Sequence, residues 1–140
     1  MLILSFDFGT KNIGAAIGQN ITYTAHALNS IKVIKGIPDW KKISYLIKYW
    51  MPKLIIVGYP LHMDGSKQKM TQKTIIFSKL LKKKYHIDVQ LHDERLTTIE
   101  AKSILYTNGG YKKLKKKNID SLSAALILES WFQKTKFKKI

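Results

Sequence analysis

Every apolar run in this chain is short and is closed by turn residues. Leu2 to Phe8 runs into Asp7-Phe8-Gly9-Thr10-Lys11, Leu54 to Val57 stops at Gly58 and Pro60, and Ile87, Val89 and Leu91 alternate up to Asp93-Glu94-Arg95. Runs of that length make strands, and none approaches the roughly 18 residues that a membrane span needs. Between them lie stretches with helical spacing. Trp40, Ile43, Ile47 and Trp50 follow an Asp39 N-cap, and Ile76, Phe77, Leu80 and Leu81 point inward from a helix of about Gln68 to Lys84. The first part instead holds three strands in succession, Leu2–Phe8, Ile13–Ile17 and Ile21–Leu28, the last with an Ile21/Tyr23/Ala25 buried face. A third helix spans Thr97 to Tyr106 and stops at Asn108-Gly109-Gly110. A basic loop, Lys112 to Lys117, then leads to a last helix from about Asn118 to Lys134. The order β-β-β-α-β-α-β-α-α predicts an α/β layer architecture, hairpin-rich at first and with parallel crossovers afterwards.

The 140 residues read as a single domain, 1–140, without repeats, linkers or a break in composition. The absence of cysteine excludes a disulfide framework, Cys-ligated zinc and thiol catalysis. The N-terminus has no basic stretch before its apolar run and reaches Asp7 too soon for a signal peptide, so a cytoplasmic protein is expected. Charge is the outlier: 25 Lys+Arg against 9 Asp+Glu leave a formal +16. An excess this large draws a small protein to polyanions through counterion release, which makes nucleic acid the expected partner and not a membrane. Codon bias toward AT-rich lysine triplets also produces such a composition, so charge by itself does not assign the partner.

In a chain this poor in acids each carboxylate can be asked why it is there. Asp39 caps a helix, Glu100 completes a Thr97-Thr98-Ile99-Glu100 capping box, Asp64 precedes Gly65 in a turn, and Asp88 and Glu129 read as solvated surface. Asp7, Asp93, Glu94 and Asp120 have no such explanation. Asp7 ends a strand, at the carboxyl edge where open α/β sheets place their sites. Asp120 opens the last helix, with Ala124, Ile127, Leu128 and Trp131 following at i+4, i+7, i+8 and i+11, so it shares the core-facing stripe. A carboxylate at a helix N-terminus is also explained by the helix dipole. Alternation puts Asp93 on the face of Leu91 and Glu94 on that of His92, and strand twist leaves either as the inward one.

Clustered acids raise one another's pKa unless a cation holds them together. Carboxylate oxygens in a lysine-rich protein point to one or two Mg²⁺ ions. A pair about 3.5–4 Å apart activates a water and stabilises the leaving oxygen of a phosphodiester. The basic surface would then hold substrate while the acids hold metal, as in a nuclease. Arg95, the only arginine, adjoins the acidic pair and offers a bidentate grip on phosphate or carboxylate.

Four segments resemble one family. Asp7-Phe-Gly-Thr-Lys-Asn-Ile-Gly14 resembles the D-x-G-x-K-x-I-G opening of the YqgF family, RNase H-like proteins described as Holliday junction resolvases and as nucleases maturing the 5′ end of 16S rRNA. Val57-Gly-Tyr-Pro-Leu-His-Met-Asp-Gly65 is similar to its V-G-x-P-x-x-x-x-G loop, and His92-Asp-Glu-Arg-Leu-Thr-Thr98 with Glu100-Ala101 to its D-E-R-x-[ST]-T-x-E-A signature. Asp120-Ser-Leu-Ser-Ala-Ala-Leu-Ile-Leu128 resembles its closing D-x-x-[AS]-A-x-x-I-L helix. The resemblance spans the chain, in order and spacing. It implies an RNase H-like mixed five-stranded sheet with helices on both faces and the second strand antiparallel. It also implies hydrolysis dependent on Mg²⁺ or Mn²⁺, with Asp7, Glu94 and Asp120 as metal ligands and catalytic residues and Asp93 as the spare. Two departures stand out: Asn12 replaces a residue that is basic in many members, and Val57-Gly58-Tyr59 lacks the strand-end acid of better-characterised RNase H-like resolvases.

Lys11, Lys67 and Lys69 are expected to contact phosphate, and Tyr111, set among lysines, to stack on a base. His62 and His92 are candidates for proton transfer, and Trp40, Trp50 and Trp131 for the core. The expected activity is maturation of precursor 16S rRNA, acting on RNA or on ribosomal particles. The alternatives are resolution of branched DNA, an RNA-binding assembly factor without catalysis, and an actin-like phosphotransferase, which the length disfavours. Junction resolution requires a dimer for paired cuts, and no dimer face is legible.

Overall fold

The computed structural model describes residues 1–60, 64–93 and 116–138, with the last helix described by its backbone alone at 116–120 and 136–138. The elements are β1 (Leu2–Phe8), β2 (Asn12–Gln19), β3 (Thr24–Ile34), β4 (Ile37–Pro38), α1 (Trp40–Trp50), β5 (Leu54–Tyr59), α2 (Lys69–Tyr85), β6 (Asp88–Asp93) and α3 (Lys116–Lys138). They build one mixed sheet in the order β4-β3-β2-β1-β5-β6. β1 to β4 pair antiparallel in succession, and β1, β5 and β6 are parallel neighbours.

Residue alternation divides the core into two layers. Leu4, Phe6, Ile13, Ile17, Ile55 and Val57 face α1 and α2, meeting Ile43, Phe77 and Leu81. Ile3, Leu54 and Ile56 face α3, meeting Ile127, Leu128 and Phe132, while Ala16 meets Ala124 and Ala125. β1 and β5 are buried on both faces, which is why their sequences read as unbroken apolar runs. The small residues of β2 let α3 lie close. A Cβ on Gly18 would come within 2.7 Å of Leu128 Cδ2 and 3.0 Å of Phe132 Cε2. No helix among the described residues is long and apolar enough to cross a membrane.

The Asp39 cap forms as expected, its side chain accepting the Lys42 N–H at 3.4 Å. Asp64 takes the Ser66 N–H at 2.9 Å and its hydroxyl at 2.6 Å in the turn before α2. Three expectations are corrected. The sheet has six strands, not five, because Lys35 (φ 52°) and Gly36 (φ 77°) make a two-residue turn that folds Ile37–Pro38 back on β3. Positive φ at both central residues is the type I′ signature, and Lys-Gly announces it less clearly than Asn-Gly. The third strand starts at Thr24 and runs to Ile34, so Ile21 lies in the preceding turn, 76% exposed. In α2 the inward stripe is Thr74, Phe77, Ser78 and Leu81, whereas Ile76 and Leu80 are exposed on the adjacent stripe. The expected helix at Thr97 to Tyr106 and most of the basic loop at Lys112 to Lys117 lie outside the described residues.

Candidate active site

Asp7 sits one residue before the end of β1 and is half-buried. Ile3 packs against α3 and the Ser5 hydroxyl donates to the Ala124 carbonyl at 2.7 Å, so the alternation of β1 turns Asp7 toward α3 as well. Its cross-strand partner on β2 is Gly14. On β5 the register runs from Ile3↔Leu54 to Phe6↔Val57, and its next step sets Asp7 beside Gly58. Both flanking positions on this face are therefore glycine, so neither neighbouring strand places a side chain beside the carboxylate.

The backbone around Gly14 is irregular in the same place. β3 pairs Ile31 with Ile13 but Leu28 with Ala15, so Asn29 and Ser30 together oppose the single residue Gly14. Such bulges bend a strand and re-aim its neighbours. Here the extra length is anchored by Lys42, whose ammonium donates to the Ser30 carbonyl at 2.9 Å. On the opposite side of β2 the Ala15 N–H donates to Ser121 Oγ at 3.2 Å.

These contacts orient α3. Ser121 lies by Ala15, Ala124 by Ser5, and Leu128 and Phe132 by Gly18, which pairs with Ile3. The helix thus runs antiparallel to β1 and starts at the edge where β1 ends. Position 120 lies in its first turns, one residue ahead of Ser121, and the expected core stripe of Ala124, Ile127 and Leu128 is buried. Asp7 and the start of α3 are accordingly brought to the same corner. The side chain of Asp120 lies outside the described residues, as do Glu94, Arg95, Tyr111 and His62. Among the described residues no three His, Asp or Glu side chains gather to hold a metal.

At the end of β6, His92 is buried and its Nε2 shares a 2.9 Å hydrogen bond with Ser130 Oγ on α3. Gln90 accepts from Trp131 Nε1 at 3.1 Å on that same face. Trp131 is therefore half-buried at the rim instead of in the core. Val89 packs with the α1/α2 layer, so alternation directs Asp93, half-buried at the strand end, away from the face that Asp7 shares.

Burial lowers the His92 pKa from 6.5, the Lys134 ammonium lowers it further, and the Asp93 carboxylate opposes both. Between the folded value and 6.5 the unfolded chain binds more protons, so stability rises with pH. His92's contribution is complete above 6.5 and is lost as pH falls through the folded value. His92→Gln keeps a polar partner for Ser130 and removes the titration. Urea melts of chelator-treated protein between pH 5 and 7.5 are expected to show a shallower acid loss in the variant. Parallel profiles would assign the acid sensitivity elsewhere.

The cationic candidates line this edge too. Lys11 is exposed in the turn after Asp7, and its carbonyl accepts the Val33 N–H at 2.9 Å, which ties the turn to β3. Lys67 and Lys69 are exposed at the start of α2. That helix is fastened to the end of β5 through Thr71, whose hydroxyl donates to the Pro60 carbonyl and accepts the Gln68 N–H at 2.9 Å. The serines at 5, 121 and 130 that fix α3 on the sheet carry no sequence signal beyond being polar on an apolar stripe.

The family model of RuvX, described as Holliday junction resolvase, matches residues 1–134. A protein of Wigglesworthia glossinidia brevipalpis named "Putative pre-16S rRNA nuclease" is 57% identical over 138 residues, covering 99% of this chain and 96% of its own. One from Haemophilus ducreyi with the same name is 55% identical, covering 93% and 94%. Among solved structures, Thermus thermophilus RuvC in complex with a Holliday junction superposes with a TM-score of 0.61 at 12% identity, over 96% of each chain. The fowlpox virus resolvase bound to junction DNA reaches 0.55 at 18% identity, over 96% and 99%. At those identities the likeness is one of fold, and it confirms the RNase H-like architecture. Sequence identity above one half along nearly the whole length carries more: the chain belongs to the RuvX (YqgF) family, a family of nucleases.

Proposed function

We propose that this protein is a divalent-metal-dependent endonuclease that matures the 5′ end of precursor 16S rRNA. The observation that supports the reading is that α3 runs antiparallel to β1 and starts at the carboxyl edge where Asp7 lies between Gly14 and Gly58. The names of the relatives support the substrate, and the +16 charge supports a polyanion. The donor set is carboxylate oxygen, which fits Mg²⁺ or Mn²⁺ and not a softer metal. We assign Asp7, Glu94 and Asp120 as its ligands. Asp93 is left as the spare because the alternation of β6 turns it to the other face.

The metal would supply an activated water and charge for the leaving oxygen. The chain's own task is to bring the phosphodiester to that corner. Lys11, Lys67 and Lys69 stand along the edge as phosphate contacts, and Arg95 and Tyr111 are assigned to substrate by their chemistry. The packing of α3 on β1 and β2 ties the helix that carries Asp120 to the strand that carries Asp7.

Purified protein is incubated with 5′-extended 16S precursor, as naked RNA and as ribonucleoprotein. We expect cleavage with Mg²⁺ or Mn²⁺, none after EDTA, and recovery when metal is returned. Cutting that ignores EDTA, or no cutting under any condition, overturns the proposal. The family description and the junction-bound structures favour a second reading, junction resolution, so a four-way DNA belongs in the same assay. Symmetric paired cuts in that DNA, with precursor RNA left intact, would favour it.

A further inference from the structure

We infer that the cavity beside the Asp7 turn, on the α1/α2 side of the sheet edge, holds one unpaired nucleobase of the strand being cut. This deepens the nuclease reading and rests on it for the identity of the strand. The cavity has a volume of about 400 Å³, within the roughly 300–1,000 Å³ of small-ligand sites. Phe8, Phe77, Ile76 and Leu80 form its apolar lining, with Gly36 and Lys73 at the sides. Phe8 turns to the face opposite Asp7, and Gly9 and Thr10 of the turn between β1 and β2 also line the cavity, so a strand whose phosphate lies at Asp7 reaches the mouth by crossing the carboxyl edge of the sheet at that turn.

The polarity of α2 supports a nucleotide as occupant over a purely apolar group. Lys69, Lys73, Ile76 and Leu80 follow one stripe of the helix, at i, i+4, i+7 and i+11. The first turn of α2 is fastened to the Pro60 carbonyl at the sheet edge, so the two lysines lie nearest the phosphates and the apolar pair lies deeper. A nucleotide has that same order, charge outside and a flat ring inside. Ile76 is 58% and Leu80 38% exposed, which leaves apolar surface uncovered at this place. Phe8 and Phe77 pack at 4.8 Å as the cavity's aromatic wall. On the opposite wall Gly36 leaves open space, since a Cβ there would meet no atom within 4 Å.

Two properties of substrate choice follow. A paired base stays in its stack, so the cavity selects single-stranded or looped RNA around the cut. Among the described lining residues only Thr10 and Lys73 carry polar side chains, so contact with the ring is mostly apolar and any base is accepted, as in stacking sites.

The test is a double-mutant cycle read by binding, so that it does not depend on cutting. Asp7→Asn protein is titrated with labelled single-stranded RNA spanning the processing site, intact or with one abasic nucleotide placed at each position in turn. We expect one position to weaken binding about ten-fold when its base is removed. Ile76→Glu, an exposed substitution whose melting temperature serves as a folding control, is expected to cause a similar loss with intact RNA and none with that abasic RNA. No sensitive position, or equal weakening of both RNAs by Ile76→Glu, overturns the inference. Self-association of RNA-free protein that Ile76→Glu abolishes would assign the cavity to a second copy of the chain and overturn it too. If wild-type protein never cuts while the cycle behaves as expected, the nuclease reading fails and the base site stands.

Discussion

Asp7→Asn is expected to lower cleavage by roughly 10³-fold or more, about 4 kcal/mol in the barrier, with RNA affinity and melting temperature nearly unchanged. The substitution keeps the size of the side chain and an oxygen acceptor but removes the charge that a divalent ion needs. Folding tolerates it because Asp7 stands one residue before the end of β1 and is half-buried, while the buried apolar residues before it hold the strand in place. Affinity tolerates it because the lysines, not the acid, collect the RNA. The measurement is single-turnover cleavage of precursor RNA beside a binding titration and a thermal melt. A variant that cuts at the wild-type rate would remove Asp7 from the chemistry, and with it the metal assignment.

Phe132→Ala separates in the opposite way. Phe132 is 2% exposed, stands edge-on to Tyr23 with ring centroids 6.0 Å apart, and fills the space above Gly18. Truncating it opens a hole over a sheet that cannot close up, at a cost of about 3–5 kcal/mol. For a chain of 140 residues that lowers the melting temperature by roughly 10–15 °C. Position 132 is 12 residues beyond position 120, about 18 Å along the helix, so the catalytic corner is not touched directly. Well below the melting point, cleavage per folded molecule is therefore expected to stay near the wild-type rate. A melting temperature within about 3 °C of wild type would show that α3 is held mainly at its other end, by Ser121 and Ala124.

Much of this site was legible before any fold was known. The central strands announced themselves because both their faces are buried, and Asp39 as a cap because Pro38 precedes it and a helical stripe follows. The stripe from Ala124 to Leu128 was correct because α3 packs on the sheet along most of its length. The stripe of α2 was read too wide. Ile76 and Leu80 are apolar yet exposed, and local periodicity does not distinguish a residue facing a core from one facing a cavity. β4 went unseen because two residues behind a Lys-Gly turn carry no pattern of their own.

The amino-acid sequence by itself determined the order of the described elements apart from β4, the surplus of positive charge and the four acids that lacked an ordinary structural task. Local chemistry suffices for these, since a strand, a cap or a carboxylate is recognisable from its near neighbours. Only the tertiary structure decided that Gly14 and Gly58 flank Asp7, that the His92 face of β6 and not the Asp93 face is the one turned to α3, and that α3 begins where β1 ends. Those relations are set by strand register and by contacts such as Ser5 to Ala124, 119 residues apart. A ladder of hydrogen bonds between distant segments has no counterpart in local periodicity, and slipping it by one residue would turn every side chain to the other face.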